Sequence, residues 1–497
     1  MMLKRLFLMG LAISLATGCQ NPISGTAEDA HERPVERMSD RGILTLRILW
    51  PDVVSRQVQV VPVAARKAVF TVTAASGDVV ATRTVTREGG ADVSFNLELA
   101  PGDDYSVVAE LFDAHADLLA SGKSAPFRIL RQRASTVELA PAAIVSRFAG
   151  TGTSGYDAND SQASEAKLWA PVGLAADGRG NMFIAELSNH IVRKVDAQGQ
   201  ISTVAGTGKA SSGVPSLGDN GPASAATLNR PSALALAANG DLFIADAFNR
   251  AIRLLPATSG ERYGQTLTPG HLHTVHYDAI PDPVPHSVAV DAGGNVFFSE
   301  SARIRMLALN GKVTTVAGNG TSGEENAGDG PALEVPLNNP DGLMVDPSGN
   351  LLFTERNSPR VRMLCRATGV YFGIPMASGS VYAIAGKGIA PTDPLALEDG
   401  KDGLEATFNG PRGLALDARG NLYISDFVNP RIRRLTPDRR IFTLAGSGKA
   451  SVALAPEVGD GGSALLATFR NPVGLAVHGE MLYVADSNNH RVRRIPL

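Results

Sequence analysis

The chain predicts an all-β protein: a six-bladed β-propeller closed by an N-terminal strand and preceded by a small β-sandwich. Three observations carry this prediction. A module anchored on a proline recurs at Pro171, Pro231, Pro285, Pro340, Pro411 and Pro472. Each copy holds four strand signals separated by turn residues. A lone fourth-strand sequence, Ile144-Val-Ser-Arg-Phe-Ala-Gly150, stands before the first copy, and the last copy reaches Leu497 without one. One such unit cannot bury its own apolar face and must stack on its neighbours.

The bulk composition agrees. Hydrophobic residues make up 44% and charged residues 19%, a folded body rather than a disordered one. At 497 residues, more than one core is expected. The 52 glycines and 30 prolines suit many short strands joined by turns. A formal net charge of −3 gives no bulk attraction to nucleic acid.

Residues 1–18 read as a signal peptide. Lys4 and Arg5 precede an apolar run from Leu6 to Leu15, and Ala16-Thr17-Gly18 leads to Cys19. The run is too short for an ordinary membrane span. Gly18-Cys19 resembles a bacterial lipobox, with Ala16 where that family most often has Leu. The resemblance implies lipid on Cys19, and Gln20 after it implies the outer membrane of the cell envelope. An ordinary secretory signal cut nearby is the plainer alternative. Residues 19–42 are polar, with Pro22 and Pro34 and no apolar period, and predict a flexible tether.

Residues 43–140 predict the β-sandwich. Leu44, Leu46 and Ile48 alternate, as do Val93, Phe95, Leu97 and Leu99, and Tyr105, Val107, Ala109 and Leu111. About seven strands in about 100 residues, with turns such as Pro101-Gly102-Asp103 between them, fit two packed sheets. The run from Leu99 to Tyr105 resembles the entry to a late strand of immunoglobulin-like and fibronectin-like domains.

Residues 144–497 predict the propeller. In the first copy the strand signals follow Pro171, then Gly180-Asn181, then open at Ile191, then close on Ala205-Gly206. The lone strand at Ile144 is expected to complete the sixth blade, which removes exposed sheet edges. Asn189-His190-Ile191, Asn489-His490 and the Gly459 to Pro472 pattern resemble NHL-repeat propellers, including those of bacterial surface proteins and teneurins. In the last copy Arg491 follows the histidine, a departure from the pattern. The resemblance implies the fold; NHL propellers include protein binders, RNA binders and a few enzymes.

The six copies provide an internal control: what all carry is read as scaffold, and what few carry is a candidate for function. The second strand of each ends in an acid, Glu186, Asp246, Glu300, Glu355, Asp426 or Asp486. An arginine follows at Arg193, Arg253, Arg305, Arg362, Arg433 or Arg493, a spacing that lets the two meet across a hairpin. One pair per blade reads as a blade lock.

The position after the anchor proline varies instead: Val172, Ser232, His286, Asp341, Arg412 and Val473. Resemblance to six-bladed propellers places it at one mouth of the central channel. His286, Asp341 and Arg412 are therefore the candidate ligand-binding residues. A histidine, a carboxylate and a guanidinium together can bind an anion, position a water or move a proton. Val284-Pro285-His286-Ser287 also resembles peptidylglycine amidating lyases, where this histidine ligates zinc; the matching positions on other blades are not histidine.

Other features have plainer readings. His271, His273 and His276 read as a solvated edge strand, and His478 as an exposed turn residue. Cys365 reads as a small strand-end residue. Asp329-Gly330, Asp402-Gly403 and Asp460-Gly461 resemble fragments of calcium loops and read as turns. The connections 206–230, 318–339, 386–410 and 446–471 are long, and long loops on a rigid body commonly build binding surfaces.

The sequence thus predicts a lipid-anchored envelope protein that holds a protein, peptide or glycan partner on its loop-rich face. The second reading is a lyase or hydrolase at the channel mouth. No residue is assigned to catalysis or to a metal and no cofactor is expected, a divalent metal in the channel being the lesser alternative. No nucleic-acid partner is expected.

Overall fold

The computed structural model divides into two compact units: residues 1–144 with 496–497, and residues 145–495. It describes nine strands between residues 11 and 139, and every residue from Ala142 on except 158–160, 211–217, 278–283, 323–327, 394–397 and 450–458.

In the first unit, strands appear where the alternation placed them, around Leu44, Phe95 and Val107. One antiparallel sheet runs in the order Val93–Leu99, Gly42–Ile48, Leu11–Ser14, Thr136–Leu139. Another places Leu118–Lys123 beside Asp104–Phe112, then Lys67–Ala74, then Val79–Thr86. Leu11–Ser14 falls in the apolar run read as a leader. Cys19 and the predicted tether up to residue 41 lie outside the described residues.

The second unit is a six-bladed propeller. Blade 1 pairs Pro171–Ala176, Met182–Glu186, Ile191–Val195 and Gln200–Ala205 as an antiparallel meander. Blades 2 to 5 repeat it from Pro231, Val288, Pro340 and Pro411. Blade 6 supplies Pro472–His478, Met481–Asp486 and Arg491–Pro496. Its fourth strand is the N-terminal Ala142–Ala149: Ser146 pairs with Arg494, Arg147 with Arg493 and Ala149 with Val492. The predicted closure is present.

Neighbouring blades bury their faces against each other. Val172, Val192, Leu228, Leu234, Ile244 and Leu272 form one core between blades 1 and 2. Ile252, Leu254, Val288, Phe298 and Leu307 do the same between blades 2 and 3. Each fully buried side chain of this size contributes roughly 1.5–3 kcal/mol. Both faces of each blade are covered, so its strands read as near-continuous apolar runs such as Leu242–Asp246.

The meander sorts the connections by end. First strands begin, second strands end, third strands begin and fourth strands end at the anchor-proline end, so the long inter-blade connections gather there. The opposite end carries the tight turns and two inserted hairpins, Gly260–Arg262 with Gln265–Leu267 and Gly369–Tyr371 with Ile374–Met376. Just inside the anchor proline the register slips by one residue: Pro171 faces Glu186, yet Gly173 faces Ala185. Blade 2 slips likewise between Pro231 and Ala233. Such a bulge re-aims the side chain after the proline.

Candidate functional site at the channel mouth

The conspicuous acids and arginines are framework. In blade 1, Glu186 faces Ile191 and Arg193 faces Ile184, so the acid and the arginine are diagonal neighbours on one face. They lie 3.8 Å apart. The distances are 3.1 Å for Asp246–Arg253, 3.3 Å for Glu300–Arg305, 3.4 Å for Glu355–Arg362 and 3.5 Å for Asp486–Arg493.

In five of the blades the carboxylate also ties down the chain entering its own blade. Glu186 accepts the Trp169 amide at 2.8 Å, Asp246 that of Asn229 at 2.7 Å, and Asp426 that of Asn409 at 2.8 Å. Burial pushes the Glu186 carboxyl up to about 7, Asp246 to about 6 and Asp426 to about 7, with amides and arginines opposing it. None of the six acids lines the channel.

The asparagine and histidine of the NHL pattern have equally structural tasks. Asn189, Asn249 and Asn489 donate to the blade acid at 2.7, 2.8 and 2.8 Å. The histidine that follows takes a left-handed backbone, with φ of 55° at His190 and 52° at His490. Its Nδ1 then accepts an amide from the next blade: Arg230 N to His190 at 3.1 Å, and Ala170 N to His490 at 3.3 Å.

The Asp-Gly turns join the same framework. Asp460 accepts from Arg493 Nε at 2.8 Å, and Asp329 lies 3.8 Å from Arg362. Asp402 receives both Nε and Nη2 of Arg439 and caps the Leu404 amide. All three side chains are engaged by arginine, and among the described residues Asp402 alone of them caps a turn amide, which is more than turn chemistry alone.

The variable position lies at the mouth. Val172, Ser232, Asp341, Arg412 and Val473 line a central cavity of about 270 Å³. On blade 3 the lining begins at Ser287 rather than His286. His286 is half-buried; its amide donates to the Ser299 carbonyl, and its carbonyl accepts from Ser232 Oγ at 2.9 Å. The structure thus brings Asp341 and Arg412 together, 3.8 Å apart, and leaves His286 out of the cavity lining.

A second arginine reaches the same carboxylate. Arg356, in the turn after Glu355, places Nε 3.9 Å from Asp341 Oδ2. Asp341 Oδ1 accepts the Gly342 amide at 2.9 Å. The Arg412 guanidinium stacks 4.3 Å above the Phe427 ring, and burial lowers its pKa.

The mouth is two-sided. One residue before the blade acid, blades 3, 4 and 5 carry buried hydroxyls, Ser299, Thr354 and Ser425; blades 6, 1 and 2 carry Ala485, Ala185 and Ala245. The hydroxyls sew the ring together: Thr354 Oγ1 donates to the Arg412 carbonyl at 3.0 Å, and Ser425 Oγ to the Val473 carbonyl at 2.7 Å. On both sides, glycines permit close approach. A Cβ on Gly474 would meet the Val172 carbonyl.

Sequence reasoning missed Arg356 and the three hydroxyls. The internal comparison, applied one residue before and one after the blade acid, is the signal that finds them. The histidine strand needs correction: His271–Tyr277 is not a solvated edge, because Gly221–Pro222 pairs outside it. His273 is 1% exposed and accepts the Thr268 amide at 3.1 Å. Burial lowers its pKa. His478 ends a strand half-buried. Cys365 is buried at a strand end, and burial raises its thiol pKa. Among the described residues no group of three or more His, Cys, Asp or Glu side chains could hold a metal ion.

Comparison with known proteins agrees with this geometry. An NHL repeat model matches residues 469–495, in blade 6. The chain is 29% identical over 186 residues to chicken (Gallus gallus) NHL repeat-containing protein 2, covering 36% of this chain and 23% of that protein. It is 26% identical over 336 residues to human Teneurin-1, covering 65% of this chain and 11% of that protein. The chain therefore spans less than a third of the length of the curated relatives it matches. A protein of unknown function from Bacteroides thetaiotaomicron superposes with a TM-score of 0.52 at 16% identity, over 92% of this chain and 94% of that one. The chain is a six-bladed β-propeller that carries an NHL repeat in the blade its N-terminal strand completes.

Proposed function

We propose that this is a binding protein of the cell envelope that holds a protein, peptide or glycan partner on the face around the channel mouth. The two-sided mouth carries this reading. Blades 3 to 5 present Asp341, Arg356 and Arg412 over buried hydroxyls, whereas Val473 and Val172 make the facing wall apolar. Exposed aromatic surface supports it at the same end: Trp169 is 45% and Phe248 54% exposed. Binding sites commonly join an apolar wall to a few fixed polar groups, and exposed aromatics supply contact area at low entropic cost.

The test is a glycan and peptide array probed with the purified chain and with a Trp169→Ala/Phe248→Ala variant. Partners captured by the parent and lost by the variant support the reading. Capture that ignores both substitutions overturns this choice of face. Turnover of a captured ligand that disappears in Asp341→Asn would favour the lyase or hydrolase reading.

Anchoring through lipid on Cys19 belongs to the same proposal, supported by the Lys4–Arg5, apolar and Gly18-Cys19 succession. Incorporation of a palmitate analogue into the parent, and none into Cys19→Ser, is the expected result. The β-sandwich over residues 43–140 is proposed as a spacer or accessory binding module.

A further inference from the structure

We propose that the channel mouth recognises a carboxylate monoanion, held between the guanidinium groups of Arg412 and Arg356 beside Asp341. This rests on the reading of the mouth as a binding site and names the chemistry it selects.

The argument starts from uncommitted donors. Among the described residues, neither Arg356 nor Arg412 makes a side-chain hydrogen bond. Their only carboxylate neighbour is Asp341, at 3.9 and 3.8 Å, beyond hydrogen-bond reach in both cases. Arg412 Nε is fully buried with no partner. Its other contact is the face of Phe427, which fixes the guanidinium plane and accepts no conventional hydrogen bond. A guanidinium has five N–H donors, and leaving them unmet in a half-buried place is costly.

Other arginines of the propeller are tightly held. Arg253 meets Asp246 at 3.1 Å and Asp219 at 2.9 Å, and Arg439 meets Asp402 at 2.7 Å. Among the described residues Arg193 also makes no hydrogen bond, but it is wholly sealed against Glu186 at 3.8 Å, whereas Arg356 and Arg412 keep 25% and 24% of their side chains exposed and within reach of a ligand.

Charge then selects the ligand. Two guanidiniums and one carboxylate leave a single positive charge at a partly desolvated mouth. A carboxylate neutralises it, and its two oxygens suit a forked donor. A phosphate dianion would leave a net negative charge beside Asp341. The cavity of about 270 Å³ has room for a single small group at the end of a ligand. A uronic acid and the C-terminus of a peptide both present such a group. Asp341 acts as the selector: it keeps the two arginines from collapsing onto a stronger partner and sets the net charge to that of a monoanion.

The experiment uses the full chain and four probes at matched ionic strength: acetate, glucuronate, N-acetyl-Ala-Ala and inorganic phosphate, with glucose as the uncharged control. Binding is read by calorimetry and by the thermal shift of the propeller. The expected result is binding of the carboxylate probes, weaker binding of phosphate, and none of glucose. Preference for glucuronate or for the dipeptide assigns the source of the carboxylate.

Arg412→Gln and Arg356→Gln should each weaken the carboxylate probes about tenfold or more. Asp341→Asn should tighten them and admit phosphate; it leaves both arginines in place and therefore tests the charge argument separately. Carboxylate probes that bind no better than chloride would overturn the inference, as would arginine variants or Asp341→Asn that bind like the parent. The failures are separable. A parent that captures an array partner through Trp169 and Phe248, unaffected by either arginine substitution, overturns the carboxylate site and leaves the binding face standing.

Discussion

His490 Nδ1 accepts a hydrogen bond from the Ala170 amide at 3.3 Å, so the turn of the last blade holds the chain entering the first. Together with the pairing of Ala149 to Val492, it makes two fastenings at the seam of the ring. Substituting alanine for His490 removes the acceptor and leaves a partly buried amide unmet, a loss of about 1 kcal/mol. Burial lowers the His490 pKa below its ordinary 6.5. The unfolded chain then takes up the proton first, so this contribution is full above pH 6.5 and declines as the pH falls below it. Denaturant melts of parent and His490→Gln from pH 8 to pH 5 should converge toward the acid end.

The blade acids give the opposite slope. Glu186 is pushed up to about 7 from 4.5, so the folded chain holds a proton that the unfolded chain has lost. The stability from that proton is complete below about pH 4.5 and is lost as the pH rises through 7. Glu186→Gln, which keeps an acceptor for the Trp169 amide, should flatten the difference between melts at pH 5 and pH 8. An unchanged difference would place the titration elsewhere.

Asp486→Ala should be far more damaging than a substitution at the channel mouth. It takes from the buried Arg493 guanidinium the blade acid, leaving Asp460 as its carboxylate neighbour, and frees the amides of Arg470 and the Asn489 side chain. Breaking such a buried pair costs about 3–5 kcal/mol. Urea midpoints of Asp486→Ala and Arg412→Gln check the contrast.

Gly413→Ala tests the close approach of neighbouring first strands. A Cβ there would meet the Val473 carbonyl, a backbone atom that cannot turn aside. The expected loss is about 1–3 kcal/mol, typical of overpacking. Ala233 already occupies the equivalent place in blade 2, so Ala233→Gly should cost about 1 kcal/mol or less, and the pair of melting temperatures separates crowding from flexibility.

Closure predicts a sharp boundary for truncation. A chain starting at Ala142 keeps the strand that pairs with Arg491–Pro496 and should keep the oligomeric state of the parent. One starting at Gly150 exposes that edge and should self-associate, as size-exclusion chromatography would show.

The sequence by itself determined the blade count, the strand that closes the ring and the framework character of the acids and arginines. These follow from repetition: six copies of one pattern report the local rule, and a group present in all of them is explained once. It also marked Asp341 and Arg412, because the variable position stands out against that background. Only the tertiary structure decided what those residues meet. Arg356 comes from a turn of the same blade and Arg412 from the next blade, and no spacing along the chain reveals that both face Asp341. His286 occupies the same repeat position, yet blade 3 starts its first strand later, at Val288, and turns Ser287 to the cavity instead. His273 looked solvated because an outer strand supplied from residues 221–222, some fifty residues earlier in the chain, is not visible in the local pattern. Strand periodicity is a local property of the chain; which side chains converge on one cavity is set by how the blades stack.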